Sequence, residues 1–468
     1  MKTRLEHDLL GEREVPSNVY YGVHTLRALE NFPISNIPIS NYPNFIKALA
    51  CVKQACALAN HELGLLEDKK SNAIVSACKE IMDGKLCEEF VVDVIQGGAG
   101  TSTNMNANEV IANRGLEILG FERGDYKKLH PLEDVNMSQS TNDVYPTAMK
   151  VALRFYIDEL IKAMEVLRIA FAEKAIEFKD VLKMGRTQLQ DAVPMTLGQE
   201  FSAYAVMLEE DQQRLREGAL LIQEINLGAT AIGTGINAHP EYASLARKYL
   251  SEVTGIEYVT AGNLVEATQD VGAFVQLSGI LKRVAVKLSK ICNDLRLLSS
   301  GPRTGLNEIN LPAAQAGSSI MPGKVNPVIP EVVNQIAFLV IGNDVTVSFA
   351  AEGGQLQLNA FEPIIAHSLF DSLIYLKNGC LTLAEKCVRG ITANKEHLSD
   401  MLNKSIGIVT ALNPIIGYEN ASAVAKEAYE TGKSVTEIIL AKGLLTKEQL
   451  DDILKPETLT QPRWIKRK

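Results

Sequence analysis

The sequence predicts a mainly α-helical fold built around a bundle of long helices. Residues 147–178 contain neither glycine nor proline, and apolar residues recur there at helical spacing, which indicates one helix of ~48 Å at about 1.5 Å per residue. Comparable helical runs follow at residues 199–223, 272–300, 330–351 and 363–387. Several of these runs are apolar on more than one face, so they must be buried among other helices. They present more apolar surface than one compact domain can cover, and we expect the bundle to pack against further copies of the chain.

The segments on either side of the bundle predict two smaller parts. Residues 1–140 mix short elements with turn signals, and a helix is predicted at residues 45–65. Beyond Asn394 the pattern becomes short again, and the segments S-V-T-E at 434–437 and T-K-E-Q at 446–449 each fit a capping box ahead of a short helix. We therefore predict three domains. They are an N-terminal mixed, mostly helical domain (1–140), a central five-helix bundle (141–393) and a small C-terminal helical domain (394–468).

Composition excludes several classes of function. The chain has 47 basic and 56 acidic residues, a formal charge of −9, and no basic cluster except residues 466–468, which argues against nucleic acid as a partner. The N-terminus has no apolar signal region and no uncharged run of about 18 apolar residues occurs, which argues against secretion and against a membrane span. The seven cysteines are scattered without a C-x-x-C pair, which favours reduced thiols in the cytoplasm. No histidine has the spacing to another histidine or a cysteine that a zinc site needs.

A polar loop, G-S-S-I-M-P-G-K-V-N-P at residues 317–327, interrupts the helical runs. Its two glycines and two prolines prevent a regular helix or strand, because glycine frees φ whereas proline fixes it and removes a donor. A phosphate-binding P-loop does not fit, since five residues instead of four separate Gly317 from Gly323 and Val325 stands where Ser or Thr is required. Loops with Ser, Lys and Asn between apolar segments commonly carry chemistry. An ordinary surface loop is the alternative for this segment taken alone.

Three further segments share this polar composition. Residues 97–109 (G-G-A-G-T-S-T-N-M-N-A-N-E) lead from a glycine turn into a helix start, where free N–H groups suit an anion, although a plain helix cap is the simpler explanation for this segment alone. Residues 136–143 (N-M-S-Q-S-T-N-D) precede the longest helix and indicate a binding surface, although a solvated loop has a similar composition. Residues 183–194 (K-M-G-R-T-Q-L-Q-D-A-V-P) place polar groups between apolar runs, and a structural turn with a buried Arg–Asp pair is the alternative.

Taken in order, the four segments match the four signature segments of the aspartase/fumarase superfamily, and the 317–327 loop resembles its G-S-S-x-M-P-x-K-x-N signature. Residues 10–33 and 405–414 resemble the same family, so the likeness covers nearly the whole chain. The resemblance implies a three-domain subunit whose five central helices join those of three other subunits in a twenty-helix core, with active sites built by three subunits. It also implies a lyase that eliminates a group from a succinyl framework and releases fumarate.

The resemblance implies roles for individual residues. Ser318 is expected to be the base that removes the Cβ proton. The side chains expected to bind the substrate β-carboxylate are Thr101, Ser140, Thr141 and Ser319. Those expected to bind the α-carboxylate are Thr187, Lys324 and Asn326. Asn142 and Gln188 are expected to lie near the amino group.

The expected chemistry explains why these residue types are wanted. When a Cβ proton leaves, the neighbouring carboxylate accepts more charge as an aci-carboxylate, so donors concentrated there stabilise the transition state selectively. A serine is a poor base unless its alkoxide is stabilised, which adjacent loop N–H groups and the Lys324 charge can do in a site that closes around the substrate. None of the seven histidines lies in any of the four segments, so Ser318 has no competitor there.

Gln188 predicts which group leaves. Fumarases read G-R-T-H at this place, whereas this chain reads G-R-T-Q at residues 185–188, and glutamine cannot deliver a proton. Hydroxide leaves poorly without one, but an ammonium group already holds its proton and needs only acceptors such as the Asn142 and Gln188 amides. The expected reaction is therefore the reversible deamination of L-aspartate to fumarate and ammonia. A class II fumarase is the nearest enzymatic alternative, and a non-enzymatic helical scaffold is the alternative from another class. No cofactor is expected to be required, and activation by a divalent cation such as Mg²⁺ is left open.

Overall fold

The computed structural model describes residues 2–462, so the basic cluster at 466–468 lies outside the described residues. The helices are α1 (Val23–Asn31), α2 (Pro43–Glu62), α3 (Asp68–Met82), α4 (Thr101–Ile118), α5 (Thr141–Glu177), α6 (Leu197–Leu221), α7 (Tyr242–Thr254), α8 (Leu264–Ala267), α9 (Gly272–Leu298), α10 (Val328–Glu352), α11 (Glu362–Lys386), α12 (Lys395–Lys404), α13 (Val409–Ile416), α14 (Tyr418–Thr431), α15 (Val435–Ala441), α16 (Lys447–Ile453) and α17 (Pro456–Leu459). The mainly α-helical fold predicted from the sequence is confirmed.

The strands are short and pair two by two. They are β1 (Thr3–Asp8), β2 (Gly11–Pro16), β3 (Leu182–Thr187), β4 (Gln190–Thr196), β5 (Glu224–Ile225), β6 (Val259–Thr260), β7 (Ile309–Asn310) and β8 (Thr392–Ala393). The pairs β1–β2, β3–β4 and β7–β8 are antiparallel and the pair β5–β6 is parallel. The β3–β4 hairpin contains the polar segment 183–194, for which the sequence offered a structural turn as the alternative to a binding segment.

The five predicted bundle helices are present as α5, α6, α9, α10 and α11. Four of them begin and end within two residues of the predicted bounds. Helix α5 begins at Thr141, before the predicted start at residue 147, and therefore includes Pro146. Proline has no N–H for the carbonyl of Asn142, four residues earlier. The Asn226 side-chain amide donates to that carbonyl instead, at 3.1 Å, so the helix continues through the proline.

The chain divides into two compact units. The first contains residues up to 161 together with 213–285 and 338–376, and the second contains 162–212, 286–337 and the chain from 377 onward. Each of the five long helices supplies residues to both units, because a boundary falls inside it. The division into three domains along the sequence stays a prediction.

In the first unit, α2 packs against α3 and α7. The small side chains of Ala48, Ala55 and Ala59 are fully buried, which lets neighbouring helices approach closely. At the start of α2, the ring of Phe45 contacts the rings of Tyr145 and Phe370, with centroids 5.5 and 5.2 Å apart. Since Tyr145 lies in the first turns of α5, this aromatic cluster fixes the end of α5 that carries one of the polar segments.

In the second unit, the C-terminal helices form a core of their own. Leu412, Val424 and Ile439 are buried there, and Met184 of β3 belongs to the same core. The capping box predicted at the start of α15 is confirmed: the Ser434 hydroxyl oxygen accepts from the Glu437 N–H at 3.2 Å, and the Glu437 carboxylate accepts from the Ser434 N–H at 3.0 Å. The box predicted at Thr446 is confirmed as well. The hairpin that carries Thr187 is therefore attached to the C-terminal helices.

Helix α10 is the one helix within residues 2–462 that is long and apolar enough to cross a membrane by length and composition, and a third (33%) of its apolar window is buried. Core helices of proteins outside membranes meet the same criteria. Its large exposed apolar side chains in the first unit are Phe338, Leu339, Val345 and Phe349. These side chains give α10 exposed apolar surface, and its packing against further copies of the chain stays a prediction.

Candidate active site

The predicted site residues fall into two groups. Thr101, Ser140, Thr141 and Asn142 belong to the first compact unit. Thr187, Gln188, Ser318, Ser319, Lys324 and Asn326 belong to the second.

Thr101 is the first residue of α4, directly after a glycine turn. Gly100 has a φ of +88°, and a Cβ there would lie 2.3 Å from the Tyr145 ring, so only glycine fits this turn. The Thr101 hydroxyl is exposed and donates to the Gly98 carbonyl at 2.7 Å. It borders a cavity of about 240 Å³ that also contacts His24 and Arg27. Arg27 is paired with Asp8 at 2.7 Å, and burial lowers the pKa of His24, so this cavity holds little free charge.

A fully buried lysine supports the segment 136–143. Lys53 on α2 donates from Nζ to Asn136 Oδ1 at 3.0 Å and to Gln139 Oε1 at 2.8 Å. Burial lowers the pKa of Lys53 to about 8. Asn136 Oδ1 also accepts from Asn104 Nδ2 at 3.2 Å, and Asn104 Nδ2 donates to Thr141 Oγ1 at 3.1 Å. Because Thr141 accepts this bond, its own hydroxyl proton is free to be donated to an anion.

Asp143 joins the same segment to a loop 85 residues away along the chain. Its buried carboxylate accepts from the N–H groups of Ser140 at 3.0 Å, Gly228 at 3.0 Å and Thr230 at 2.9 Å. Burial raises the pKa of Asp143 to about 6, although these three bonds and the Lys53 charge oppose the shift. The segment is thus anchored by a carboxylate without exposing a negative charge.

The orientation of the Asn142 amide is fixed by the loop that Asp143 holds. Its Nδ2 donates to the Ala231 carbonyl at 2.7 Å. A carbonyl can only accept a hydrogen bond, so the Nδ2 end of the Asn142 amide must face Ala231. The Oδ1 end is then left to contact a ligand. Asn142 therefore presents a hydrogen-bond acceptor, which is what an ammonium group requires.

Thr187 and Gln188 lie at the tip of the β3–β4 hairpin and are exposed. Gln188 and Leu189 form the turn with φ values of 54° and 64°. The sequence left open a buried Arg–Asp pair here, and that alternative is wrong. Arg186 pairs with Glu308, which is fully buried, whereas Asp191 accepts a hydrogen bond from the Ser405 hydroxyl at 2.8 Å.

The 317–327 loop is closed at its base and carries Ser318 near its start. The Gly317 N–H donates to the Lys324 carbonyl at 2.8 Å, and Asn326 Nδ2 donates to the Gly317 carbonyl at 2.7 Å. The half-buried Ser318 hydroxyl oxygen accepts from the N–H groups of Ile320 at 3.2 Å and Met321 at 2.9 Å. Two such donors would stabilise an alkoxide at this oxygen.

Ser319 and Lys324 are exposed on the same loop. Within residues 2–462, Lys324 makes no ion pair, so its charge is available to a ligand. The same described residues contain no group of three or more His, Cys, Asp and Glu side chains that could hold a metal ion. All seven cysteines are free thiols, and all but Cys87 are buried.

Comparison with known proteins identifies the family. A model of a lyase family matches residues 11–342, and a model of the fumarase C C-terminus matches residues 408–461. Aspartate ammonia-lyase from Helicobacter pylori strain J99 is 60% identical over 464 residues, covering 99% of each chain. The chain belongs to the aspartase/fumarase superfamily. The Escherichia coli K12 aspartate ammonia-lyase is 58% identical over 462 residues, 98% of this chain and 97% of the relative.

Solved structures of aspartase/fumarase proteins match over the same length. The fumarate lyase:delta crystallin from Brucella melitensis bound to cobalt superposes with a TM-score of 0.96 at 57% identity, covering 98% of this chain and 100% of that chain. The class II fumarase from Schistosoma mansoni superposes with a TM-score of 0.91 at 35% identity, covering 97% and 98%. The family predicted from the four segments is confirmed.

Sequence reasoning missed two buried charges that organise these groups. Lys53 is the only charged residue between positions 48 and 60, and a single charge within an apolar helix could have been noticed as a buried one. Glu308 carried no such signal, because its partner Arg186 is 122 residues away. Asp143 lies within one of the four polar segments, but its role depends on Gly228 and Thr230, which only tertiary folding brings close to it.

Proposed function

We propose that this protein is an aspartate ammonia-lyase that converts L-aspartate reversibly to fumarate and ammonia. Relatives of that name match it over nearly their whole length at 58% and 60% identity. The observation that carries the chemistry is the Ser318 hydroxyl oxygen, which accepts from two backbone N–H groups and so lies where an alkoxide base is stabilised.

The proposed reaction removes a proton and then ammonia. Ser318, as the alkoxide, takes a Cβ proton, and the electron pair of the broken C–H bond moves into the β-carboxylate to form an aci-carboxylate. That pair returns to form the Cα–Cβ double bond of fumarate while the Cα–N bond breaks. The ammonium substituent leaves as neutral ammonia, and the proton on Ser318 passes to solvent or ammonia.

Hydroxyl donors are proposed to stabilise the aci-carboxylate. Thr141 accepts from Asn104 and Ser140 accepts from the Asn142 N–H at 3.2 Å, so both hydroxyls keep their protons for a substrate oxygen. Ser319 is assigned to the same set, and so is Thr101, whose hydroxyl must turn from the Gly98 carbonyl to the substrate oxygen. The grip on the α-carboxylate is assigned to Thr187, Lys324 and Asn326, where Lys324 supplies the opposing charge.

Selectivity for the leaving group is assigned to Asn142 and Gln188. Both can accept a hydrogen bond from an ammonium group, but neither can protonate a departing hydroxide. We therefore expect L-malate to be at least ~10³-fold worse than L-aspartate in kcat/KM. The test follows fumarate formation by ultraviolet absorbance with each substrate. Comparable rates, or a preference for malate, would instead identify the enzyme as a fumarase. The 35% identity with a class II fumarase is the observation that favours this second candidate. No turnover of either substrate would favour a scaffold.

The assembly is proposed to be a homotetramer with shared active sites. The exposed apolar face of α10 supports association with further copies. Four chains of 51.1 kDa give a native mass of about 204 kDa, since 4 × 51.1 is 204.4. If sites are shared, Thr101→Ala and Ser318→Ala variants should regain partial activity when dissociated and reassembled together. Properly reassembled mixed tetramers without any recovery would contradict a shared site.

We also propose a cytoplasmic enzyme that needs no cofactor. Seven free thiols fit a reducing compartment, and the charge of Lys324 with the hydroxyl donors suits acid–base chemistry without a redox group. Dialysis against a chelator should therefore not abolish the turnover of L-aspartate. A loss restored by Mg²⁺ would show a cation requirement.

A further inference from the structure

We propose that Glu308 is a positioning residue for substrate binding, because through Arg186 it holds the hairpin tip that carries Thr187 and Gln188. The inference rests on the proposed function, which assigns the substrate α-carboxylate and amino group to these two residues. It adds a charged residue that lies outside all four signature segments.

The hairpin tip needs support from outside itself. Its turn residues Gln188 and Leu189 both have positive φ, a conformation that costs free energy for residues other than glycine. Both are exposed, as are Thr187 and Gln190, the last pair of the hairpin. The tip therefore has no buried apolar side chain of its own to fix it.

Arg186 supplies that support one residue before Thr187. Its guanidinium donates to Glu308 Oε1, and the side chains are only 13% and 1% exposed. Glu308 is itself fixed on both sides of its main chain: its N–H donates to the Leu298 carbonyl at 2.8 Å, and its carbonyl accepts from the Asn394 N–H at 3.0 Å. Glu308 is thus a rigid point to which the tip is tied.

The charges around Glu308 are balanced, and they separate its role from that of a neighbour. Lys183 Nζ lies 2.6 Å from Glu308 Oε2 and 2.6 Å from Glu200 Oε2. Two cations thus meet two carboxylates. Lys183 pairs with both Glu200 and Glu308, whereas of these two carboxylates Arg186 pairs with Glu308. Removing Glu200 leaves the Arg186 pair intact, so Glu200→Gln is a matched control.

The opposite strand carries a second tether. Asp191 lies opposite Arg186 in the backbone register of the two strands, and its carboxylate accepts a hydrogen bond from the Ser405 hydroxyl at 2.8 Å. Losing the Glu308 tether therefore leaves the hairpin attached on its β4 side. We expect the tip to shift, not to unfold, and a shift of about 1 Å at a substrate-binding group can cost up to ~10²-fold in kcat/KM.

The experiment measures kcat and KM for L-aspartate in Glu308→Gln and Glu200→Gln. Thr187 and Gln188 hold parts of the substrate whose charge changes little on proton removal, so their displacement weakens ground state and transition state alike. Glu308→Gln should raise KM at least ~10-fold with kcat within ~3-fold, and Glu200→Gln should leave KM within ~3-fold. A merely structural role would reduce the number of intact sites, which lowers kcat and leaves KM unchanged.

A double-mutant comparison tests whether Glu308 acts through Arg186. In an Arg186→Met background, Glu308→Gln should cause no further rise in KM, whereas additive effects would contradict the proposal. If Glu308→Gln does not fold, Arg186→Lys keeps the charge balance and should still raise KM several-fold. An unchanged KM in every foldable variant would overturn the inference. Wild-type enzyme without activity on L-aspartate would overturn the proposed function instead.

Discussion

The segment 136–143 and the loop 317–327 both carry predicted substrate-binding residues, but they are held in opposite ways. The segment is at least half-buried and its bonds reach far along the chain, to Lys53, Ala231 and Asn60, whose Oδ1 accepts from Ser138 at 2.8 Å. The loop is mostly exposed. The bonds that the structure gives its side chains join residues of the loop to one another.

This difference matches two demands of the proposed reaction. Donors for a developing charge stabilise it best when they are fixed before the reaction begins, and the segment is fixed by the fully buried Lys53 and Asp143. A base that must approach Cβ after the substrate has entered is better placed on an element that can move. The geometry around Ser318 depends on bonds within the loop, so a movement of the loop as a unit would preserve that geometry.

The largest expected effect comes from the loop. Ser318→Ala removes the proton acceptor and should lower kcat at least ~10²-fold, the usual contribution of a general base. Since the bonds of Ser318 are local, the free energy of unfolding should change by less than about 0.5 kcal/mol. Steady-state kinetics and urea unfolding check both statements. A variant that keeps more than about a tenth of the wild-type kcat would rule Ser318 out as the base.

In the segment, by contrast, stability and activity should fall together. Lys53→Met leaves Gln139 Oε1 without its charged donor and removes the cation near Asp143. We expect the free energy of unfolding to fall by about 2 kcal/mol, as for a lost hydrogen bond to a charged group. We expect kcat/KM to fall with it, because Asn136 and Asn104 lead to Thr141. Lys47→Met on the same helix is the control, since Lys47 is exposed. A Lys53 variant that loses stability at full activity would break the comparison.

The two regions also differ in what the sequence could reveal. The loop could be predicted from the sequence, because its glycines, prolines, Ser318 and Lys324 all lie within residues 317–327 and its hydrogen bonds are local. The long helices were predicted from hydrophobic periodicity, apart from the start of α5, where the Asn226 amide compensates for Pro146. The conformation of the hairpin tip could not be predicted, because Gln188 and Leu189 adopt positive φ without the Gly or Asn that usually signals such a turn. The buried pairs Lys53–Gln139 and Arg186–Glu308 could not be predicted either, since tertiary folding alone brings their members together.

A smaller effect is expected at the base of the loop. A Cβ on Gly317 would lie 2.5 Å from the Lys324 carbonyl oxygen, so Gly317→Ala must open the base. A Cβ on Gly323 meets nothing within 4 Å, and only its φ of +79° opposes the substitution. We expect kcat to fall ~10-fold in Gly317→Ala and ~3-fold or less in Gly323→Ala, by analogy with the cost of misplacing a catalytic group. Equal effects would show that the base of the loop does not set the position of Ser318.

The last expected effect is a pH dependence of the free energy of unfolding that only the segment should show. The pKa of Asp143 is about 6 in the folded protein because of burial, above its value of about 3.9 in an unfolded chain. The folded state therefore binds this proton more tightly, and the stabilisation is fully present below pH ~4 and lost as pH rises through 6. Lys53, Cys56 and Tyr242 face Asp143. Burial lowers the pKa of Lys53 to about 8 and raises the pKa values of Cys56 and Tyr242, so the pH dependence between 4 and 7 is assigned to Asp143. Between pH 4 and 7, wild-type protein should lose roughly 2 kcal/mol of stability relative to Asp143→Asn, since each unit of pKa difference is worth ~1.4 kcal/mol. Urea unfolding at fixed protein concentration measures this difference, and Ser318→Ala should follow the wild-type curve. Parallel curves for wild type and Asp143→Asn would mean that the Asp143 carboxylate keeps its ordinary pKa in the folded protein.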